Sequence, residues 1–137
     1  MKKAIIYILL LSVLFVGCTD SVIGYESREA YVESLAKSKV IYYTTSDGKV
    51  IKPYREVLAA KIISNDYVNG QGVITFDRPI SEIGANMFSG CMNLVSITLP
   101  YSVMTIGKGA FKNCTSLRDV SLAEITSIID DDAFCNC

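Results

Sequence analysis

From Ile83 onward the apolar positions recur every 23 residues. Written in rows, the chain reads IGANMFSGCMNLVSITLPYSVMT, then IGKGAFKNCTSLRDVSLAEITSI, then IDDDAFCNC. Phe88, Phe111 and Phe134 fall in one column, and Cys91, Cys114 and Cys137 in another. Leu94 aligns with Leu117, Ile97 with Val120, and Leu99 with Leu122, while Ile74, Phe76 and Ile80 carry the register backward. A fixed period of this length marks a chain built from one small unit stacked on its own copies, each burying a face against its neighbour.

Within a row, Leu94-x-x-Ile97-x-Leu99 predicts a strand with one apolar face, closed by Pro100, which has no amide to donate. Val103 and Ile106 return to the core, and Gly107 predicts a turn with positive φ. Ala110-Phe111-x-x-Cys114-x-x-Leu117 has the spacing of one helical turn. The fold class expected is therefore a short α/β solenoid, a strand plus a helical turn in each row. Its predicted core is Phe88, Cys91, Leu94, Ile97, Leu99, Ile106, Phe111, Cys114, Leu117, Val120, Leu122 and Phe134.

Ahead of the rows, Val40–Thr45 is rich in strand formers, Asp47-Gly48 favours a tight turn, and Val50-Ile51 predicts the return strand of a hairpin. Tyr54–Asn65, with Val57, Leu58, Ile62 and Ile63, reads as helical or irregular, and Asn69–Gly72 as a turn before a first row strand at Val73–Phe76. This lead-in predicts a β-rich cap over the end of the stack. The extreme N-terminus has a different pattern. Two lysines precede the apolar run Ala4–Val16, which is too short to span a bilayer and has the layout of an export signal. The run closes on Phe15-Val16-Gly17-Cys18, which resembles the bacterial lipobox. That resemblance implies cleavage before Cys18, acylation of its thiol, and a membrane partner through the lipid. The expected division is a signal peptide over 1–17, a tether over 18–39, the cap over 40–72 and the repeats over 73–137. In the tether, Tyr31, Val32 and Leu35 form a short amphipathic stripe.

A period of 23 lies in the range of leucine-rich repeats. Ile106, Gly107, Ala110, Phe111, Cys114, Leu117, Val120 and Leu122 follow in order the pattern of the BspA-like leucine-rich-repeat family of bacterial surface antigens, which the chain resembles over Val73–Cys137. Met87 stands where Ala is usual, and Ala123 where Pro is usual. The lead-in is similar to that found before such repeats in Bacteroidales-type lipoproteins. The resemblance implies an exported, non-catalytic protein of the cell envelope, anchored in the outer membrane or exposed at the cell surface, that binds a protein or other macromolecule and takes part in adhesion.

Composition narrows the chemistry. The chain of 137 residues has a net charge of -1, 20% charged residues and no histidine. Histidine-dependent triads, dyads and zinc sites are excluded, and the balance of charge speaks against a nucleic-acid partner. No cofactor or metal is expected. Equivalent cysteines one coil apart favour a ladder of small buried thiols at Cys91 and Cys114, with Cys135 exposed; a disulfide framework is the alternative. Asp130–Asp132 lacks the spacing of a calcium loop and reads as a polar turn whose last Asp caps a helical turn. One of Tyr42 and Tyr43 should face out. Thr75, Thr98 and Ser121 recur between inward residues, as a ligand face or a merely solvated one. An enzyme would have to rest on carboxylates such as Asp77 and Glu82, with no motif to frame them. The structural alternative to a binding module is an accessory subunit, or a shortened paralogue, that docks on another repeat protein through an uncapped last coil.

Overall fold

The structure, a computed structural model, describes residues 28–54 and 60–137. The signal run, Cys18, Val57 and Leu58 lie outside the described residues. Helix α1 spans Arg28–Lys37, and strands follow at β1 Val40–Thr45, β2 Ile62–Val68, β3 Gln71–Phe76, β4 Glu82–Ile83, β5 Leu94–Thr98, β6 Thr105–Ile106, β7 Asp119–Ser121 and β8 Ile128–Ile129. They form a five-stranded sheet in the order β2-β3-β1-β5-β7 and a three-stranded sheet in the order β4-β6-β8.

The 23-residue register appears directly in the ladders. In the small sheet, Thr105 pairs in parallel with Glu82 and Ile128, and Ile106 with Ile83 and Ile129. In the large sheet, Ser96, Ile97 and Thr98 pair in parallel with Asp119, Val120 and Ser121. Between the sheets lie Ile74, Phe76, Ile83, Phe88, Leu94, Ile97, Ile106 and Phe111, each at most 1% exposed. The three phenylalanine rings stack, with centroids 5.3 Å and 5.2 Å apart.

Three expectations are corrected. First, the segment expected to be one helical turn per row is a chain of backbone turns. Phe88, Phe111 and Phe134 each accept an amide three residues on, and α1 is the one helix among the described residues. The turns cannot wind into a helix because φ is positive at Asn86, Gly109 and Asp132, and again at Gly90, Asn113 and Asn136. Both triplets keep the 23-residue spacing. Asp132 thus has left-handed backbone and caps no helix. Gly107 does not have positive φ; it is small because a Cβ there would meet the Ala85 amide nitrogen at 2.9 Å and the Ile83 carbonyl oxygen at 3.0 Å.

Second, β1 is not half of a hairpin. It lies between β3 and β5, antiparallel to both, with Ile41 opposite Ile74 and Tyr43 opposite Ile97. The Asp47-Gly48 turn forms, with the Lys49 amide on the Asp47 carboxylate at 3.2 Å. The chain beyond it then passes over the end of the stack, where Ile51 is buried and the Tyr54 amide donates to Met87 O. Third, β3 does not stack on β5, since β1 takes that place; β3 pairs instead with β2, a strand where helical or irregular chain was expected. The stripe of Tyr31, Val32 and Leu35 lies on α1, which buries no residue. The helix joins the body at its end, where Ser38 is buried and its carbonyl accepts the Ile80 amide.

Candidate functional site

Alternation in the large sheet separates a core face from an outer face. In β1, Ile41 and Tyr43 are buried and Tyr42 between them is 39% exposed. Tyr43 faces in because β3 has Gly72 opposite it, and its hydroxyl donates to Asn65 Oδ1 at 2.6 Å. Tyr42 is therefore the tyrosine that faces out.

The pairing puts Tyr42 in one line across the sheet. Asp66 pairs with Val73, Val73 with Tyr42, Tyr42 with Thr98, and Thr98 with Ser121. A second line runs through Thr44, Ser96 and Asp119, with the Thr44 and Ser96 hydroxyls 2.6 Å apart. Of the three hydroxyl residues singled out in the sequence, Thr98 and Ser121 are direct neighbours. Thr75 is not beside them: it pairs with Val40 and Ser64, two strands away from β5. Tyr42 fills the position that the repeat register had given to Thr75. No local signal could have placed it there, since β1 comes from outside the rows. The face offers one exposed ring among hydroxyls, with Asp66 and Asp119 at its margins. Such a surface can form apolar contact and many hydrogen bonds with a large partner.

The remaining candidate groups have other neighbours. Asp77 accepts the Lys61 amide at 2.8 Å and also contacts Arg78, and these interactions, the amide first, hold its carboxyl below the ordinary range. Among the described residues no group of three acids, thiols or imidazoles could hold a metal ion. The four described cysteines are free thiols. Cys91 and Cys114 are buried, and burial pushes the thiol of Cys91 up and that of Cys114 up to about 12. Cys135 is half-buried rather than exposed, its backbone held by Asn113 and Asp132, while Cys137 is the exposed one.

The strand half of the second row, and the third row, depart from the expected core. Leu117, Val120 and Phe134 are only partly buried, and Leu122 is 40% exposed where its counterpart Leu99 is 6% exposed. The physical reason is the neighbouring strand: β5, which leads into Leu99, has β7 beside it, whereas β7, which leads into Leu122, has no further strand beside it among the described residues.

Stacked rows at one strict period, with parallel ladders and columns of like side chains, define a leucine-rich-repeat protein. Residues 69–137, just over half of the chain, match the BspA type leucine rich repeat region (6 copies), and the chain belongs to that family. Repeats of this type point to a protein-binding or adhesion-type domain. No curated protein matches the chain. No solved structure matches it.

Proposed function

We propose that this protein is a non-catalytic, lipid-anchored module of the bacterial cell envelope. Its rows form a short solenoid that binds a protein or other macromolecule in adhesion. The observation that carries this reading is the line Tyr42–Thr98–Ser121 on the outer face of the large sheet. It joins a strand of the cap to strands of two rows, so the cap contributes to the binding face as well as covering the stack. The lipobox-like run before Cys18 supports the anchor, and a second lipid chain on the same residue would make attachment stable.

Each half has its own test. Cells fed a clickable fatty acid should label the wild-type protein, and Cys18→Ser should lose both the label and membrane fractionation. For the face, cells displaying the protein are scored against an array of purified cell-surface and matrix macromolecules. Tyr42→Ala and Thr98→Lys should abolish any binding found while leaving the melting temperature within a few degrees. Binding that survives both substitutions refutes the assignment of the face.

A further inference from the structure

The longest strand among the described residues is also an edge. Strand β2 has seven residues and ends the five-stranded sheet, with β3 on one side and no strand on the other among the described residues. Edges of soluble sheets are ordinarily guarded by lysine, proline or short length, since an open row of amides and carbonyls recruits another strand. Strand β2 has none of these guards. It reads IISNDYV, with Asp66 as its one charge, and its bulge lies at one end, between Ile62 and Ser64. Ile62, Ile63 and Val68 are 41%, 66% and 63% exposed.

The adjoining turn fixes which backbone groups are open. Asn69 and Gly70 both have positive φ and join Val68 to Gln71 as a two-residue hairpin, whose flanking residues bond to each other. Alternation along the ladder then points the amides and carbonyls of Asn65 and Tyr67 away from β3, to the open edge.

The side chains of β2 match a second β2 in one antiparallel register. With Asn65 opposite Asn65 of a second copy, Ile63 meets Tyr67, Ile62 meets Val68, and Asp66 meets Ser64. Centring on Asp66 instead sets two carboxylates face to face, and centring on Ser64 sets Asp66 against Ile62. The strand is complementary to itself, apolar at both ends and polar in its middle. Charge and apolar pattern together select a second copy of this chain as the occupant.

We infer that β2 pairs antiparallel with β2 of a second copy about Asn65, joining two five-stranded sheets edge to edge. The twofold axis at Asn65 stands perpendicular to the sheet, so both outer faces lie on one side and present their Tyr42–Thr98–Ser121 lines together. The pairing does not depend on what that face binds, and Tyr42→Ala should leave it intact.

The full chain should sediment as a dimer that dissociates on dilution. Ile63→Lys should be monomeric with an unchanged melting temperature, because Ile63 is exposed in the single chain. Cross-linking reads the register. Ser64 and Asp66 would form a pair of the non-hydrogen-bonded kind, with Cα atoms about 4.5 Å apart and within disulfide reach. Full chains with Ser64→Cys and with Asp66→Cys, each also carrying Cys135→Ser and Cys137→Ser, are mixed and oxidised. Mass spectrometry should find a disulfide between the two introduced thiols, and neither chain alone should link through its own. A monomer at every concentration overturns the inference. So does a dimer that survives Ile63→Lys, or a dimer in which the mixed disulfide does not form.

Discussion

The thiol of Cys114 donates to the carbonyl oxygen of Phe88 at 3.1 Å, one row back in the stack, and Cys137 makes the same bond to Phe111. Each phenylalanine carbonyl also accepts an amide of its own row, from Cys91 and Cys114 respectively, so one oxygen ties two rows together. The cysteine column thus follows from hydrogen bonding and small size, without any bridge between sulfurs.

Burial of the Cys114 thiol predicts an alkaline limit to stability. The Cys114 thiol stays protonated in the fold up to about 12, against an ordinary value of 9.0. Between those values the unfolded chain releases the proton and the folded chain keeps it. Stability is therefore full below about pH 9 and falls as pH rises toward 12. At about 1.4 kcal/mol per unit, the loss reaches at most about 4 kcal/mol. Denaturation curves of the wild type and Cys114→Ala should converge over this range, and parallel curves would sink the idea.

Alkylation should separate the cysteines into two pairs. Cys91 and Cys114 are buried with raised thiols and should react only after denaturation. Cys135 and Cys137 should label in the native protein. Timed mass spectrometry reads all four sites, and native labelling of Cys114 at the rate of Cys135 would contradict the structure.

Phe111 is the middle ring of the stack and fully buried. Truncation to Ala should cost about 3–5 kcal/mol, the range for buried aromatics. Phe134→Ala, in the half-covered row, should cost clearly less. Equal losses in urea denaturation would show that the third row is packed like the second.

At Gly72 a Cβ would fall within the ring of Tyr43. Gly72→Ala should destabilise at the upper end of the roughly 1–3 kcal/mol typical of overpacking. It should also release Ile51, whose carbonyl is held by Asn65, the residue that accepts the Tyr43 hydroxyl. The double variant with Tyr43→Leu should be less damaged than the sum of the single ones. Strict additivity would mean that the ring does not pass over Gly72.

The rows were legible because their register is written in large apolar residues and in Phe and Cys columns that tolerate few alternatives. The same 23-residue spacing governs the pairs Ser96–Asp119 and Thr105–Ile128. The turns were legible in principle but not in practice. Asn86, Gly109 and Asp132 form a column of residues that accept positive φ, but Gly107, two residues before Gly109, carries an equally strong local turn signal. The position of β1 was not legible. Its alternation fits any half-buried strand, and nothing local tells Tyr42 that its partners are Val73 and Thr98. Strand β2 was missed because Asn65-Asp66 in its middle has low strand propensity, which pairing with β3 overrides. Of the candidate face, two of the three hydroxyl positions were found, and its aromatic residue was identified only as one of a pair.

Placing β1 between β3 and β5 changes how the chain can acquire its fold. An ordinary repeat array forms by short-range steps, each unit adding to the last. Here the hydroxyls of Thr44 and Ser96 come together across 52 residues of sequence. A chain emerging from a ribosome or a translocon presents β1 early, yet that strand has only half its bonds until β5 arrives. Such non-local closure slows folding and leaves a strand edge exposed meanwhile. The first strand to appear is completed only when β5 pairs with it, so its closure adds a long-range step that the rows alone would not need.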